Sequence, residues 1–398
     1  QQLLGDRVTD VEWNGTNYVV TENETERNLT PEESADLTHD VVGYDENDRP
    51  VYGVFEKGYN YFLDQVVRDS RSGAEAETVA RLAVFGGAAQ AAISAGASTY
   101  DAVSGRMGVG ANGANITVAD NTQGAALWLA PIYKSSDSDG FDAEGVDYGV
   151  DMDLYGVALG ADYTLSNGIR FGAMFNVGSG EVDGQGAGSA VSNDFDYYGF
   201  AVYGGYSMGA LSVVADVSYT VADNDLEGNT SIDKVGASLD STNLSIGVTG
   251  QYQLDFNGTT VTPHAGLRFS RIDLDDYTVD GEDIIADYDA DSMNIFSIPV
   301  GVTFAKEFTG DAWTVKPSLD LTLTGNFGDD ETDGTVHWAG VENLSTNVSS
   351  EVLDNFTYGA TLGVAAKTGN FSLGLGVNYT GSSNVDEFGV NANARFVF

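Results

Sequence analysis

The sequence has no cysteine, which excludes disulfides, thiol catalysis and thiolate metal sites. Proline is scarce, with six in 398 residues. Basic residues are scarce too: 17 Lys and Arg stand against 60 Asp and Glu, a net charge of −43. Phosphates would be repelled, so nucleic acid is excluded as a partner. No apolar run reaches the roughly 18 residues of a membrane-spanning helix. The opening "QQLLGDRVTD" lacks a basic region and an apolar core, so it is not a signal peptide. Residue 1 is therefore expected to be an internal point of a longer chain.

Glycine and aromatic residues are abundant: 50 Gly, 20 Tyr and 19 Phe, in a chain that is 42% apolar. That apolar content argues against wholesale disorder. From about residue 125 the apolar residues fall on alternate positions. In 371–379, Phe371, Leu373, Leu375, Val377 and Tyr379 share one parity, with Ser372, Gly374, Gly376 and Asn378 on the other. A strand places alternate side chains on opposite faces. Twelve such strands are expected, near 125–134, 150–165, 168–179, 195–207, 210–221, 241–256, 258–271, 292–308, 311–326, 351–368, 370–380 and 385–398. Their connections alternate in length. Ser166-Asn167-Gly168, Ser207-Met208-Gly209, Asn257-Gly258, Thr309-Gly310 and Thr368-Gly369 are tight hairpin signals. Between them lie longer segments near 135–149, 180–194, 222–240, 272–291 and 327–350, holding 27 Asp and Glu and one basic residue, Lys234.

Short turns at one end and long acidic loops at the other are the arrangement of an outer-membrane barrel. A soluble β-sandwich is the alternative, but apolar faces recur on all twelve strands with polar or tiny residues opposite. The terminal "NARFVF" fits closure: Phe388, Phe396 and Phe398 share one parity on a last strand that must pair with the first. Inward glycines such as Gly156, Gly160 and Gly172 imply close approach by something in the lumen. The Ala-rich stretch 72–103, with a capping box at Ser72 and Glu75 and a break at Gly86-Gly87, is the candidate occupant. Arg170, Asp216, His264, Arg268, Lys316, Asp320 and Arg395 are expected to face the lumen and pair across it or with that helix. The fold class is thus all-β: a 12-stranded antiparallel transmembrane β-barrel with an α-helix in the pore, preceded by a short mainly β segment. The expected division is 1–72, 73–106 and 107–398.

Residues 60–398 resemble the type Va autotransporters. The resemblance rests on "FGGAAQAAISAGASTYDAVSGRMG", then "ALWLAPIY", then "DLYGVALGADYTLSNGIRFGAMFNVGSG", and last "NARFVF". It implies a bacterial outer-membrane translocator whose linker helix lies in the pore. It further implies a surface-displayed passenger of which 1–72 is the remnant, and insertion by the barrel-assembly machinery, reading the last strand, with periplasmic chaperones. Lipid and lipopolysaccharide would surround the barrel. Some relatives cut themselves in the pore at an Asn of the linker. Here the nearest asparagines, Asn112 and Asn115, follow the helix, so no such cleavage is expected.

Other chemistry is weakly marked. His264 lies in a strand, His337 in an external loop and His39 in the N-terminal segment, with no Ser–His or Asp–His spacing that carries a mechanism. No catalytic residue, no metal site and no cofactor is expected, except that the acidic stretches 137–147 and 273–291 offer oxygen ligands to Ca²⁺. An outer-membrane channel or loop-mediated adhesin is the alternative function, and a barrel hydrolase a third.

Overall fold

The computed structural model describes residues 8–22, 25–31, 33–35, 37–44, 49–56, 60–68, 73–109, 123–341 and 344–398. Twelve long antiparallel strands close into a barrel. In chain order its wall strands are β1 (Gly124–Ser138), β2 (Asp147–Thr164), β3 (Ile169–Gly186) and β4 (Val191–Met208). Next come β5 (Leu211–Asn229), β6 (Lys234–Tyr252), β7 (Thr259–Leu274) and β8 (Met293–Lys306). The wall is completed by β9 (Thr314–Gly328), β10 (Phe356–Thr368), β11 (Phe371–Gly381) and β12 (Val385–Val397). Closure runs from Val385 opposite Ser138 to Val397 opposite Ala126. Pairing lapses once on this seam, between Asn391–Ile132 and Ala394–Leu129, where Pro131 has no N–H to give.

The outer face carries the apolar belt. On β5, Leu211, Val213, Val217 and Tyr219 are exposed while Ser212, Asp216, Ser218 and Thr220 turn inward. Eight steps along such a strand cover about 27 Å, which at a tilt near 40° is roughly 20 Å of height, comparable to the hydrocarbon band of an outer-membrane barrel. At the belt's external edge the outward parity changes from aromatic to acidic: Tyr155 gives way to Asp153, Tyr198 to Asp196 and Phe388 to Asp386. Only the belted part of each strand spans the membrane.

The long segments expected to be loops are mostly wall. β3 and β4 run to Gly186 and from Val191, and β5 and β6 to Asn229 and from Lys234, so their connections are short turns. Hairpins Tyr277–Asp280 with Ile284–Ala290, and Glu331–Trp338 with Ser345–Glu351, raise the opposite side. Above the belt the polarity of the two faces inverts. Asp223, Asp225 and Glu227 of β5 point out, whereas Leu226 points in, where it joins Val235, Leu239, Ile272, Met293 and Trp338 in one apolar core. A bore that is hydrophilic throughout is therefore not what forms. The part standing in water follows the rule of a soluble barrel, apolar inside and charged outside.

Among the described residues, four helices precede the barrel: α1 (Tyr61–Arg68), α2 (Gly73–Ala80), α3 (Leu82–Phe85) and α4 (Ala88–Met107). Val79, Leu82, Val84 and Phe85 are buried in the external core. Gly87 adopts a left-handed conformation, φ 64°, to start α4, and Gly108, φ 67°, ends it. A Cβ on Gly86 would lie 2.2 Å from Leu226 Cδ2, so the break packs against the wall with no room for a side chain. Ser72 and the Asn112 and Asn115 positions lie outside the described residues. Glu75 accepts a hydrogen bond from the Ser231 hydroxyl, 2.6 Å. N-terminal to the helices, Val8–Trp13, Tyr18–Glu22 and Thr25–Asn28 form a small sheet, and Leu37–Tyr44 pairs with Pro50–Glu56.

Leu226→Ala leaves a cavity against the α3–α4 break and is expected to cost about 2–5 kcal/mol. Urea unfolding of the detergent-folded protein, read as loss of its heat-modifiable gel mobility, measures it. The exposed Val217→Ala in the belt is the control and should change this little.

Candidate functional site

The pore is built from the inward parity of the belted strands and from α4. Alanine and small polar residues make α4 thin enough to lie along the wall, and it packs against the β4–β6 side. Gly96 leaves room for Asn243, whose Nδ2 donates to the Ala92 carbonyl, 3.2 Å; a Cβ there would sit 2.1 Å from Asn243 Nδ2. The Thr99 hydroxyl meets Thr220 Oγ1 at 3.0 Å and accepts from Asn176 Nδ2 at 3.2 Å. At the two ends of α4, Asn193 Nδ2 donates to the Gly86 carbonyl and Gln251 Nε2 to the Gly108 carbonyl, both 2.9 Å. These bonds fix the depth of the helix and satisfy carbonyls at its breaks.

Ion pairs fix its rotation. Arg106 grips Asp162 of β2 with two bonds, 2.6 and 2.5 Å, and both side chains are buried. Tyr203 Oη donates to the same carboxylate, 3.0 Å, and accepts from Trp128 Nε1, 2.8 Å. Lys134 of β1 lies between Asp101 of α4, 3.5 Å, and Glu387 of β12, 3.6 Å. Arg268 of β7 is held by Asp216 through two bonds, 2.9 and 2.8 Å, and its guanidinium lies 3.8 Å over the Tyr100 ring of α4. Each of these charges has a partner of opposite sign, which a water-poor lumen demands.

The residues singled out in the sequence divide as follows. Arg268 and Asp216 pair with each other and meet the helix through Tyr100. Arg170 sits 3.8 Å from Asp162, beside the Arg106 grip. His264 Nε2 and Asp320 Oδ2 are 2.7 Å apart, and the Thr303 and Thr322 hydroxyls also donate to that carboxylate, so this pair belongs to the wall. Arg395 Nη2 donates to Ser372 Oγ on the neighbouring strand, 3.2 Å. Lys316 is half-buried on the inward parity of β9. His337 stands outside, 3.2 Å from Asp289. Phe388, Phe396 and Phe398 are exposed on the belt face. Sequence reasoning missed Arg106, Asp162, Lys134, Asp101 and Glu387. Strand parity marks Asp162 and Lys134 as inward, but the rotation of α4 that selects Arg106 and Asp101 has no sequence signal. The inward glycines make room for aromatic side chains of the wall: a Cβ on Gly156 or Gly172 would collide with Tyr197 or Tyr203, and one on Gly160 with Trp128.

At the external mouth the Ala83 N–H donates to Tyr277 Oη, 3.3 Å, and Tyr277 stacks on Tyr288 with centroids 4.8 Å apart. Burial pushes both phenols above the ordinary tyrosine range, so they stay neutral. Arg81, buried at the α2–α3 break, is paired with Glu77 and Glu144. Asn60 Nδ2 donates to the Ile285 carbonyl, 2.9 Å, tying the start of α1 to the barrel's external hairpin. On the outside above the belt, Asp386, Asp137, Asp151 and Asp183 stand in register across four strands. Desolvation, then Asp137, Asp183 and Asp153, push the Asp151 carboxyl above its usual range. Among the described residues no three His, Asp or Glu side chains converge on a point able to hold a metal ion.

The family model of the autotransporter β-domain matches residues 127–380. The IgA-specific serine endopeptidase autotransporter of Neisseria gonorrhoeae is 32% identical over 92 residues, which are 23% of this chain and 6% of that protein. The chain thus spans a small fraction of that relative. The barrel is similar to the translocator domain of autotransporter NalP from Neisseria meningitidis, with a TM-score of 0.58, 12% identity, and coverage of 78% of this chain and 100% of that one. It is also similar to the transport unit of AIDA-I from Escherichia coli, with a TM-score of 0.51, 13% identity, and coverage of 71% and 93%.

Two outcomes follow. Arg106→Ala removes the two-bond partner of Asp162, leaving that buried charge only Tyr203 and the more distant Arg170, and should cost about 3 kcal/mol, against less for the double variant Arg106→Met with Asp162→Leu, both read by urea unfolding in detergent. The raised pKa of Asp151 means its charge opposes folding above that pKa. As pH falls from neutrality into the upper carboxylate range, protonation relieves the row, so protease resistance of the external wall should rise before general acid unfolding begins.

Proposed function

The chain belongs to the autotransporter β-domain family and is a translocator of the bacterial outer membrane, and from that premise we propose that it secretes and displays the polypeptide N-terminal to α4. The observation that carries this reading is the path of the chain. It enters the barrel as α4, passes through the belt, and emerges as α3, α2 and α1 at the acidic external end. A polypeptide upstream of α1 is thereby delivered to the outer side, covalently tethered to the barrel.

In this account α4 is both the tether and the plug. Arg268, Asp216, Arg106 and Asp162 hold it to the wall, while the apolar wedge of Leu82, Val84 and Phe85 closes the external mouth. Work is done by folding and threading, so no residue turns over a substrate; the endopeptidase activity in the relative's name is that protein's. Phe388, Phe396 and Phe398 form the signal read by the barrel-assembly machinery, chaperones carry the unfolded barrel to it, and the belt meets lipid and lipopolysaccharide. Ca²⁺ at the external acidic rows belongs to this reading, supported by their charge alone.

Deleting residues 73–106 should raise the single-channel conductance of the refolded barrel several-fold; equal conductance with and without the segment would defeat the plug. A reporter fused upstream of residue 1 should become protease-accessible on intact cells. Removing Phe398 should lower the folded barrel in the outer membrane and the display together.

A further inference from the structure

The external turn between β1 and β2 does not simply continue the wall. Pairing of the two strands lapses above Asp137–Asp151 and resumes for only two residues, Phe141 with Tyr148 and Asp142 with Asp147. Ser138, Asp139 and Gly140 stand there against Gly149 and Val150, and a bulge of this kind bends a strand. Beyond it, Phe141 and Ala143 are buried in the external core, in one cluster with Leu82, Val84 and Phe85 of α3. Tyr148 lies between Phe85 and Phe141, with ring centroids 5.4 and 6.0 Å away. Residues 139–146 therefore lean over the mouth. They also reach the hairpin between β9 and β10, where the Asp142 N–H donates to Glu351 Oε2, 3.3 Å. At the tip, Glu144 accepts a hydrogen bond from Arg81, the residue at the α2–α3 break.

This closed form depends on the helices being in place. Arg81 is buried, whereas its two partners, Glu77 and Glu144, are each about half exposed. Without α3, Phe141 and Ala143 would face water across an open mouth. Glu144 has φ 55°, a left-handed conformation that a non-glycine residue keeps only where its surroundings fix it. A ladder of two residues is all the strand pairing that ties the segment to β2. A passing polypeptide and the closed segment also compete for one space, because Phe141, Ala143 and α3 together fill the mouth.

We propose that residues 139–146 are a strap that stands open while polypeptide passes and closes when α3 arrives, latched by Arg81 through Glu144. Once closed, it opposes backward movement. Withdrawing α3 into the bore would separate Arg81 from Glu144 and expose Phe141 and Ala143. The timing of closure rests on the secretion reading; the latch itself does not.

The absence of cysteine allows two thiol-labelling arms in the full chain. Ala143→Cys and Phe141→Cys are independent probes of the strap. In the first arm a ligand-stabilised folded domain is fused upstream of residue 1, and intact cells are treated with a membrane-impermeant maleimide. Ligand holds that domain folded on the inner side and stalls transit. The strap thiols should then label, and should become protected once ligand is withdrawn and display is complete. In the second arm the purified, folded chain is labelled in detergent. Arg81→Gln should speed labelling of both strap thiols several-fold, with Arg81→Lys between it and the unchanged residue. Ala237→Cys, in the same core but on β6, is the control and should keep its rate. Heat-modifiable mobility verifies that every variant, stalled or finished, is folded. Strap thiols as well protected in the stalled chain as in the finished one would overturn the proposal. So would strap thiols unmoved by Arg81→Gln, or a rise shared equally by the Ala237 variant, which would mean general loosening. Surface display that never occurs would count against the secretion reading alone, because the second arm needs no transit.

Discussion

Hydrocarbon cannot hydrogen-bond a peptide group, and that single constraint organises this molecule. Every N–H and C=O within the belt must find a partner on an adjacent strand, so the sheet must have no edge. The last strand therefore pairs with the first, from Val385 opposite Ser138 down to Val397 opposite Ala126. From this closure follow the even alternation of faces, the enclosed bore, and the need for the preceding chain to pass through that bore or around it. The lapse at Pro131 shows how closely the wall keeps to the rule: proline removes one donor, and the ladder resumes within three residues of β12.

Solvent then decides which parity is apolar. Within the belt the outside is lipid and the inside holds polar groups, so Leu211, Val213 and Val217 point out. A few residues further along the same strand the outside is water, and Leu226 points in. One continuous strand thus obeys two opposite patterns, with aromatic residues such as Tyr198 and Tyr219 at the crossing. The charge of the protein is gathered on the outer face of this upper wall, where it keeps an apolar-cored structure soluble above the membrane.

The strand count, the tight turns at the end opposite the acidic wall, the helix and its break at Gly86-Gly87 were all legible in the sequence, because each rests on local periodicity or on glycine's backbone freedom. The outer wall was less so. A segment such as 222–229 alternates as regularly as its neighbours, but its acidic residues mimic a loop when the belt pattern is extended without allowing for the change of solvent. The pore contacts were half legible: parity places Asp216, His264, Arg268 and Asp320 inward, yet which of them touch α4 depends on the helix rotation. That rotation is set by small residues, Gly96 against Asn243 and Thr99 against Thr220, which carry no charge or pattern to announce it.

Helix and wall together make one assembly, plugged by α4 and held shut at the seam. The seam is what the rest rests upon, and the cysteine-free background allows it to be tested in living membranes. Cysteines placed at Leu129 and Ala394, which stand opposite each other on β1 and β12, should cross-link on mild oxidation of intact cells and keep the barrel circular on unheated gels. Cysteines at those positions that remain free under oxidation, in protein recovered from the outer membrane, would contradict the closed barrel and everything built on it.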